Sequence, residues 1–285
     1  MVKIVSDSTA DLSAEFIEKY NLSILPLHVL LGEDEYIDGI NINNDKIFEW
    51  ADANKTTPKT SAPSQAEAIE LFEKLLDGGN EIVAFSISSS MSASFNVMRL
   101  AAEALDAEDR VFVIDSKNLS SGIALQVLKA AELAMEGKSG REIADEIAKI
   151  TPFIRSTFVV DTLTYLHRGG RCSGVAAMAG GMLKLHPIIT VSDGKMGPGK
   201  KYRGKMSSVL MEYVKDLSED MKAKADPERI FVTTPYCDPE DINNIIEYIK
   251  GLGLFKEVIY AEAGGVIASH CGPGTVGILY QDRVE

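Results

Sequence analysis

The chain has 285 residues, 45% of them hydrophobic, with a formal charge of -13 and a pI near 4.9. That is the composition of a globular protein long enough for two domains. The acidic balance argues against nucleic acid or an anionic bilayer as a broad electrostatic partner, though a local basic patch can still act. The three cysteines, Cys172, Cys237 and Cys271, are odd in number and lack C-x-x-C spacing, so they indicate neither a disulfide framework nor a metal site, and a reducing cytoplasm suits them. Met1 leads straight into a strand-like segment and no stretch approaches membrane-span length, so the expectation is a cytoplasmic protein, neither exported nor inserted.

Residues 2–5 read as a first strand ending in Ser6-Asp7-Ser8-Thr9-Ala10-Asp11-Leu12, and Ser13 is a cap for a helix running to Tyr20. Residues 25–42 form two extended pieces about a Gly-Glu-Asp turn, and a helix spans residues 45–54. The following run, residues 56–64, is too rich in proline and hydroxyls for a helix or a central strand and reads as a donor-rich loop. Ser64 and Glu67 make a capping box for the next helix, as Ser139 and Glu142 do for one ending near Pro152. Between them lie a strand at 110–116 and a long Ala- and Leu-rich helix over 121–136.

Residues 81–96, EIVAFSISSSMSASFN, organise this half. An apolar strand is stopped by a serine burst, and a helix follows with Phe95, Val97, Met98, Leu100, Ala101 and Leu105 on its apolar face. Backbone N–H groups and the positive end of a helix dipole favour an anion there, so the turn reads as a cradle for an acidic ligand. The same serines also serve as caps and turn formers. Ligands of such sheets sit beyond the carboxyl ends of the strands, and three strands here end in Ser6-Asp7-Ser8, residues 86–90 and Asp115-Ser116.

Downstream the rhythm shifts. Strands at 157–160, 187–191, 195–202, 230–234, 257–262 and 275–280 surround helices at 205–223 and 239–251, and Ser192-Asp193-Gly194 is a hairpin turn. The predicted architecture is therefore α/β: an N-terminal domain, residues 1–152, with a mostly parallel sheet and helices on both faces, and a C-terminal α+β domain, residues 153–285, with a largely antiparallel sheet.

Four sequence islands resemble the DegV family: Asp7-Ser8-Thr9-Ala10-Asp11-Leu12, Thr60-Ser61-Ala62-Pro63-Ser64, Tyr165-Leu166-His167-Arg168-Gly169-Gly170-Arg171 and Ser269-His270-Cys271-Gly272-Pro273-Gly274. They stand in the family's order and cover essentially the whole chain. The resemblance implies a two-domain protein that is no enzyme alone and has no cofactor. It would hold one long-chain fatty acid between its domains and present the carboxylate to a separate fatty acid kinase that makes acyl phosphate. Residue by residue, Thr60 and Ser61 match the T-S-x-P-S loop and Ser92 the serine of an S-G-T turn, and these hydroxyls with that of Ser94 are expected to hold the carboxylate; Arg171 matches the G-G-R arginine and His270 the H-x-G-P-G histidine, both expected at the head group. Ala93 and Ser94 depart from the S-G-T pattern. If that turn needs a positive φ, alanine is strained there and the carry-over to Ser92 weakens.

Each of these residues has another reading. Arg171 also fits a surface or interdomain ion pair, and His270 a packed loop histidine, which is how His28, His167 and His186 are read. Residues 175–183, with Met178, Met182 and Leu183, offer a lipid wall or simply a close-packed core helix. An acyl chain of about sixteen carbons, buried at about 0.8 kcal/mol per methylene, would gain roughly 12 kcal/mol before ordering costs. Lys195, Lys200, Lys201, Arg203 and Lys205 make a basic hairpin, either an edge strand protected by charge or a surface for transient contact with an anionic membrane or an acidic or phosphate-bearing partner. Residues 194–201 fit GxxxxGK, but Lys201 occupies the Ser/Thr position, so no nucleotide loop is indicated, and no other cofactor, hydrolase or metal motif stands out. Two rivals from other classes remain: a serine-dependent acyl-ester hydrolase using Ser92 (or Ser61) with His270, and a binder of a small phosphorylated ligand.

Overall fold

The structure, a computed structural model, describes residues 1–172 and 185–284. In chain order, β1 (Val2–Asp7), α1 (Ala14–Lys19), β2 (Ser23–Leu25), the hairpin β3 (His28–Leu31) and β4 (Asp34–Ile37), α2 (Asn44–Asn54) and β5 (Lys59–Ser61) come first. Next are α3 (Gln65–Leu76), β6 (Glu81–Ser86), α4 (Ser94–Ala104), β7 (Val111–Asp115), α5 (Ser121–Met135) and α6 (Gly140–Ile150). The second half holds β8 (Ile154–Val159), α7 (Thr164–Gly169), β9 (Leu185–Ser192), β10 (Lys195–Arg203), α8 (Met206–Lys224), β11 (Ala225–Thr234), α9 (Pro239–Gly251), β12 (Glu257–Glu262), α10 (Gly265–Cys271) and β13 (Val276–Asp282).

These elements stack in layers. The first sheet, in the order β2-β1-β6-β7, is parallel throughout, so both of its faces must be covered. Phe72 and Met98 of α3 and α4 cover one face, packing on Val5, Ile82 and Ala84. On the other, Ile123 and Val127 of α5 and Ile143 and Ile147 of α6 pack on Ile4, Val83 and Phe85. The second sheet, β10-β9-β8-β13-β11-β12, is antiparallel except for the β11–β12 pair. One face carries α8 and α9 through Leu210, Val214, Ile245 and Ile249, and the other receives Ala124, Leu125 and Leu128 of α5. Helix α5 is therefore shared by both sheets. Its Ala- and Leu-rich sequence reflects that position, since a helix buried between two layers is apolar all round.

Both predicted capping boxes form, and the Ser13 hydroxyl accepts from Phe16 N as an N-cap should. The read loop at 56–64 holds one departure: Lys59–Ser61 pairs with β3 as the edge strand of a three-stranded antiparallel sheet, β4-β3-β5, with Thr60 opposite Val29. The short helices α7 and α10 and the three-residue β2 also had no sequence signal, being too short for periodicity to show.

The β9–β10 turn touches the first half of the chain. Ser88 Oγ donates to Gly194 O at 2.7 Å. Gly194 has φ +77°, and a Cβ there would sit 2.5 Å from Ser88 Oγ. Gly39 has φ +74° with nothing within 4 Å of the same added atom. Gly194→Ala is expected to cost more than the about 1–2 kcal/mol of an L residue in this backbone region, and Gly39→Ala no more than that. Urea unfolding of the two variants checks this, and equal losses would contradict the contact with Ser88.

Candidate functional site

A cavity of about 200 Å³ lies where β5, the turn before α4, helix α10 and the segment after α7 converge. Its polar lining is Thr60, Ser61, Ser92, Arg171 and His270. The remaining wall is mainly apolar, including Leu27, Ile87, Leu119, Met196, Val266 and Ile267. A second void of about 20 Å³ shares Leu119, Ile267 and Cys271 with it and is also lined by Phe158 and Leu279. A few polar groups thus line a mainly apolar enclosure, the common form of a small-molecule site.

Two of the three cavity hydroxyls, those of Thr60 and Ser92, are each backed by another polar group. Thr60 is placed by the β3–β5 pairing, and its Oγ1 lies 2.8 Å from His270 Nε2. Ser92 Oγ lies 2.9 Å from Ser94 Oγ and accepts from Ser94 N at 3.3 Å. Ser94 is buried and stands behind Ser92, outside the lining. Ala93 is the N-cap of α4 with φ -78° and ψ -4°, a right-handed conformation that alanine adopts freely, so the feared strain is absent. Its side chain makes no cap hydrogen bond, which leaves the positive end of α4 open.

His270 lies near the end of α10, a helix, where the sequence suggested a packed loop residue. Burial, and then the charge of Arg171, push its imidazole pKa down from 6.5 to about 4, so the ring is neutral at physiological pH. Its Nδ1 is buried without a hydrogen-bond partner among the described residues. Nothing larger than glycine fits at position 169, where a Cβ would come within 2.5 Å of that nitrogen. Arg171 is exposed and donates to Gly169 O at 2.6 Å, so it makes a backbone contact and no ion pair among the described residues.

The rest of the serine burst does other work. Ser86 and Ser88 are buried, Ser88 reaching Gly194, while Ser89 donates through both its N–H and its hydroxyl to Asp115 at the end of β7. Only Ser92 of the six serines lines the cavity. The end of β1 is likewise structural: Asp7 Oδ1 accepts from Thr9 N at 3.2 Å and Oδ2 from Ile87 N at 2.8 Å. Burial pushes the Asp7 carboxyl up to about 6 and raises Asp11 and Asp38 as well. Composition alone gave no hint of these acids, because their partners lie far along the chain.

His28 and His186 sit on strands and His167 on α7, so none is a loop histidine. His28 bridges Glu35 at 2.8 Å and Glu67 at 3.1 Å. In the basic hairpin, Lys200 is paired with Asp216. Lys201 and Lys205 are exposed. The GxxxxGK segment runs from the β9–β10 turn into β10 and starts no helix. Met178, Met182 and Leu183 lie outside the described residues. No cluster of metal-ligating side chains and no helix long and apolar enough to cross a membrane occurs among the described residues.

The model of the family described as "Uncharacterised protein, DegV family" matches residues 1–283. The chain belongs to the DegV family. Among its relatives, DegV domain-containing proteins of Caldanaerobacter subterraneus subsp. tengcongensis and Clostridium acetobutylicum are 30% and 32% identical, each across 99% of both chains. The fold is shared with a DegV family protein of Thermus thermophilus whose structure addresses fatty acid binding, at TM-score 0.90, 28% identity and 99% coverage of both chains. DegV of Bacillus subtilis, a fatty acid binding protein, superposes at TM-score 0.85 with 28% identity and 99% coverage of both. A stearic acid-binding protein of Eubacterium ventriosum does so at 0.85, with 31% identity and 98% coverage of both. DegV family structures thus bind fatty acids and carry them as ligands.

The state of His270 gives a prediction. An unfolded histidine takes up a proton near pH 6.5, whereas the folded ring resists until about pH 4, so its contribution removes stability as pH falls through that window, by up to roughly 3 kcal/mol. Asp7 has the opposite sign between 3.8 and about 6, and comparison with a variant cancels it. The difference in unfolding free energy between the natural protein and His270→Gln is expected to be flat above pH 7 and to shift against the natural protein from pH 6.5 to 4. A difference independent of pH would contradict the buried neutral ring.

Proposed function

We propose that this chain binds one long-chain fatty acid, with the carboxylate at Thr60, Ser61 and Ser92 and the tail among Leu119, Ile267 and the residues beyond them. The observation that carries this reading is the pair of backed hydroxyls on one otherwise apolar cavity. A hydroxyl has a single proton. When His270 Nε2–H donates to Thr60 Oγ1, the threonine proton is free for a ligand oxygen. Ser94 does the same for Ser92 by donating to its Oγ. The open start of α4 and the guanidinium of Arg171 add positive potential without burying a cation. The tail supplies most of the affinity, and the hydroxyls set which end faces out.

In this reading the ligand sits between the domains formed by residues 1–152 and 153–285, and its head group is presented, in the cytoplasm, to a partner kinase that forms acyl phosphate. The chain itself, in this reading, performs no chemistry: His270 Nε2 is engaged with Thr60 and its Nδ1 has no hydrogen-bond partner among the described residues, an arrangement that does not favour Ser92 as a hydrolase nucleophile. A small phosphorylated ligand would leave the apolar wall unused. Lys201, Arg203 and Lys205, with Lys200, offer a surface for the kinase or an anionic membrane. Charge reversal at Lys201 and Arg203 is expected to lower kinase coupling or lipid transfer while leaving fatty acid affinity unchanged, and intact coupling and transfer would remove that role.

Solvent extraction of purified protein followed by mass spectrometry is expected to release a long-chain fatty acid. Calorimetric titration with palmitate is expected to show Thr60→Val and Ser92→Ala each weakened about 10-fold to 100-fold, the worth of a hydrogen bond to a charged group. Palmitate methyl ester is expected to bind the natural protein no better than palmitate binds these variants. An empty protein with no affinity for palmitate would overturn the proposal.

A further inference from the structure

Helix α10 carries His270, yet its own sequence provides no cap. It starts at Gly264-Gly265, and no N-cap side chain satisfies its first N–H groups. Those groups are met from far away. Asp11 Oδ1 accepts from Gly264 N at 2.8 Å. Asp38 Oδ1 accepts from Gly265 N at 2.7 Å and from Val266 N at 3.3 Å. Both carboxylates are buried, Asp38 being 2% exposed, and so are committed to these contacts. The approach is close: a Cβ at Gly264 would lie 3.3 Å from Asp11 Oδ1, and one at Gly265 3.1 Å from Asp38 Oδ1 and 2.9 Å from Ile47 Cδ1, so a larger residue would press on both carboxylates.

The same acids fix other walls of the cavity. Asp38 Oδ2 accepts from Ser8 Oγ at 2.7 Å, and Ser8 Oγ accepts from the N–H of Leu27, a lining residue. Asp11 Oδ2 accepts from Ser120 Oγ, directly after the lining residue Leu119. Ser120 has φ +52° and ψ -142°, a backbone conformation that a non-glycine residue holds only when its surroundings impose it. His270 lies five residues past Gly265, about 7.5 Å along the helix axis, so a shift at the start of α10 is transmitted to the imidazole through a rigid element.

We propose that Asp38, with Asp11, is a positioning residue for the head-group site: by gripping the first N–H groups of α10, it sets where His270 meets Thr60. The affinity part of this proposal rests on the fatty acid reading, and the part concerning His270 does not.

The test uses full-length, ligand-free protein with ¹⁵N-labelled histidine, following the His270 ring nitrogens across pH, together with palmitate titrations. Asp38→Ala is expected to move the His270 resonances, return its ring pKa toward the ordinary value by at least one unit, and weaken palmitate at least tenfold. Asp38→Asn keeps an acceptor oxygen for Gly265 N and is expected to stay within threefold of the natural protein. Ile245→Ala, which hollows the core beneath α9, is expected to lower stability without moving His270 or the affinity. Asp38→Ala with unmoved His270 resonances, or Asn no better than Ala, would overturn the proposal. Should Asp38→Ala fail to fold, Gly265→Ala, which presses on the same carboxylate, must move His270, and an unmoved ring overturns the proposal equally. If palmitate binds no variant and not the natural protein, while His270 still responds to Asp38, the fatty acid reading fails and the positioning role stands.

Discussion

An alcohol can donate to an anion only if its one proton is not already spent, and the proposed head-group site depends on that constraint. In the Nε2–H tautomer the contact between Thr60 Oγ1 and His270 Nε2 gives the threonine a donor, and a Ser94 hydroxyl donating to Ser92 repeats the arrangement at a second hydroxyl of the lining. A neutral imidazole suits this task better than a charged one. Burial beside Arg171 keeps the ring unprotonated, so one nitrogen donates to Thr60 and no second buried proton needs an acceptor.

The layered fold explains how residues from opposite ends of the sequence reach one cavity. Helix α5 is packed on both sheets and fixes their spacing, while the loops at the carboxyl ends of β1 and β6 tie the first sheet to α10 and to the β9–β10 turn. The buried acids Asp7 at the end of β1, Asp11 after it and Asp38 after β4 bear a cost in desolvation, visible in their raised pKa values, and backbone N–H and hydroxyl donors offset it. A polar network of this kind is stable only when every member finds a partner, and it then specifies one arrangement of the segments it joins.

Much of the fold was legible because its signals are local. The apolar run at residues 82–85, the boxes at Ser64 and Ser139 and the alternation of strands with helices each lie within a few residues of one another. Residues 59–61 were read as loop because the partner that makes them a strand, Val29, lies thirty positions earlier. The serine burst was recognised as a helix start, but sequence cannot say which way a hydroxyl faces, and Ser88 turned toward Gly194, more than a hundred residues away. The proposed head-group residues come from the resemblance to a family. Spacing alone would not have chosen Ser92 over Ser89, or His270 over His28. Asp11 lies in one of the family islands, but neither its hold on α10 nor that of Asp38 was legible, since each is defined by a helix start more than two hundred residues further along.

The measurement closest to the central claim is a crystal structure of the protein loaded with a fatty acid brominated at its terminal carbon. The account predicts carboxylate density within hydrogen-bond reach of Thr60 Oγ1 and Ser92 Oγ, with the anomalous bromine peak past Leu119 and Ile267 toward Phe158 and Leu279. A carboxylate lodged away from both hydroxyls, or a bromine peak on the protein surface, would contradict it.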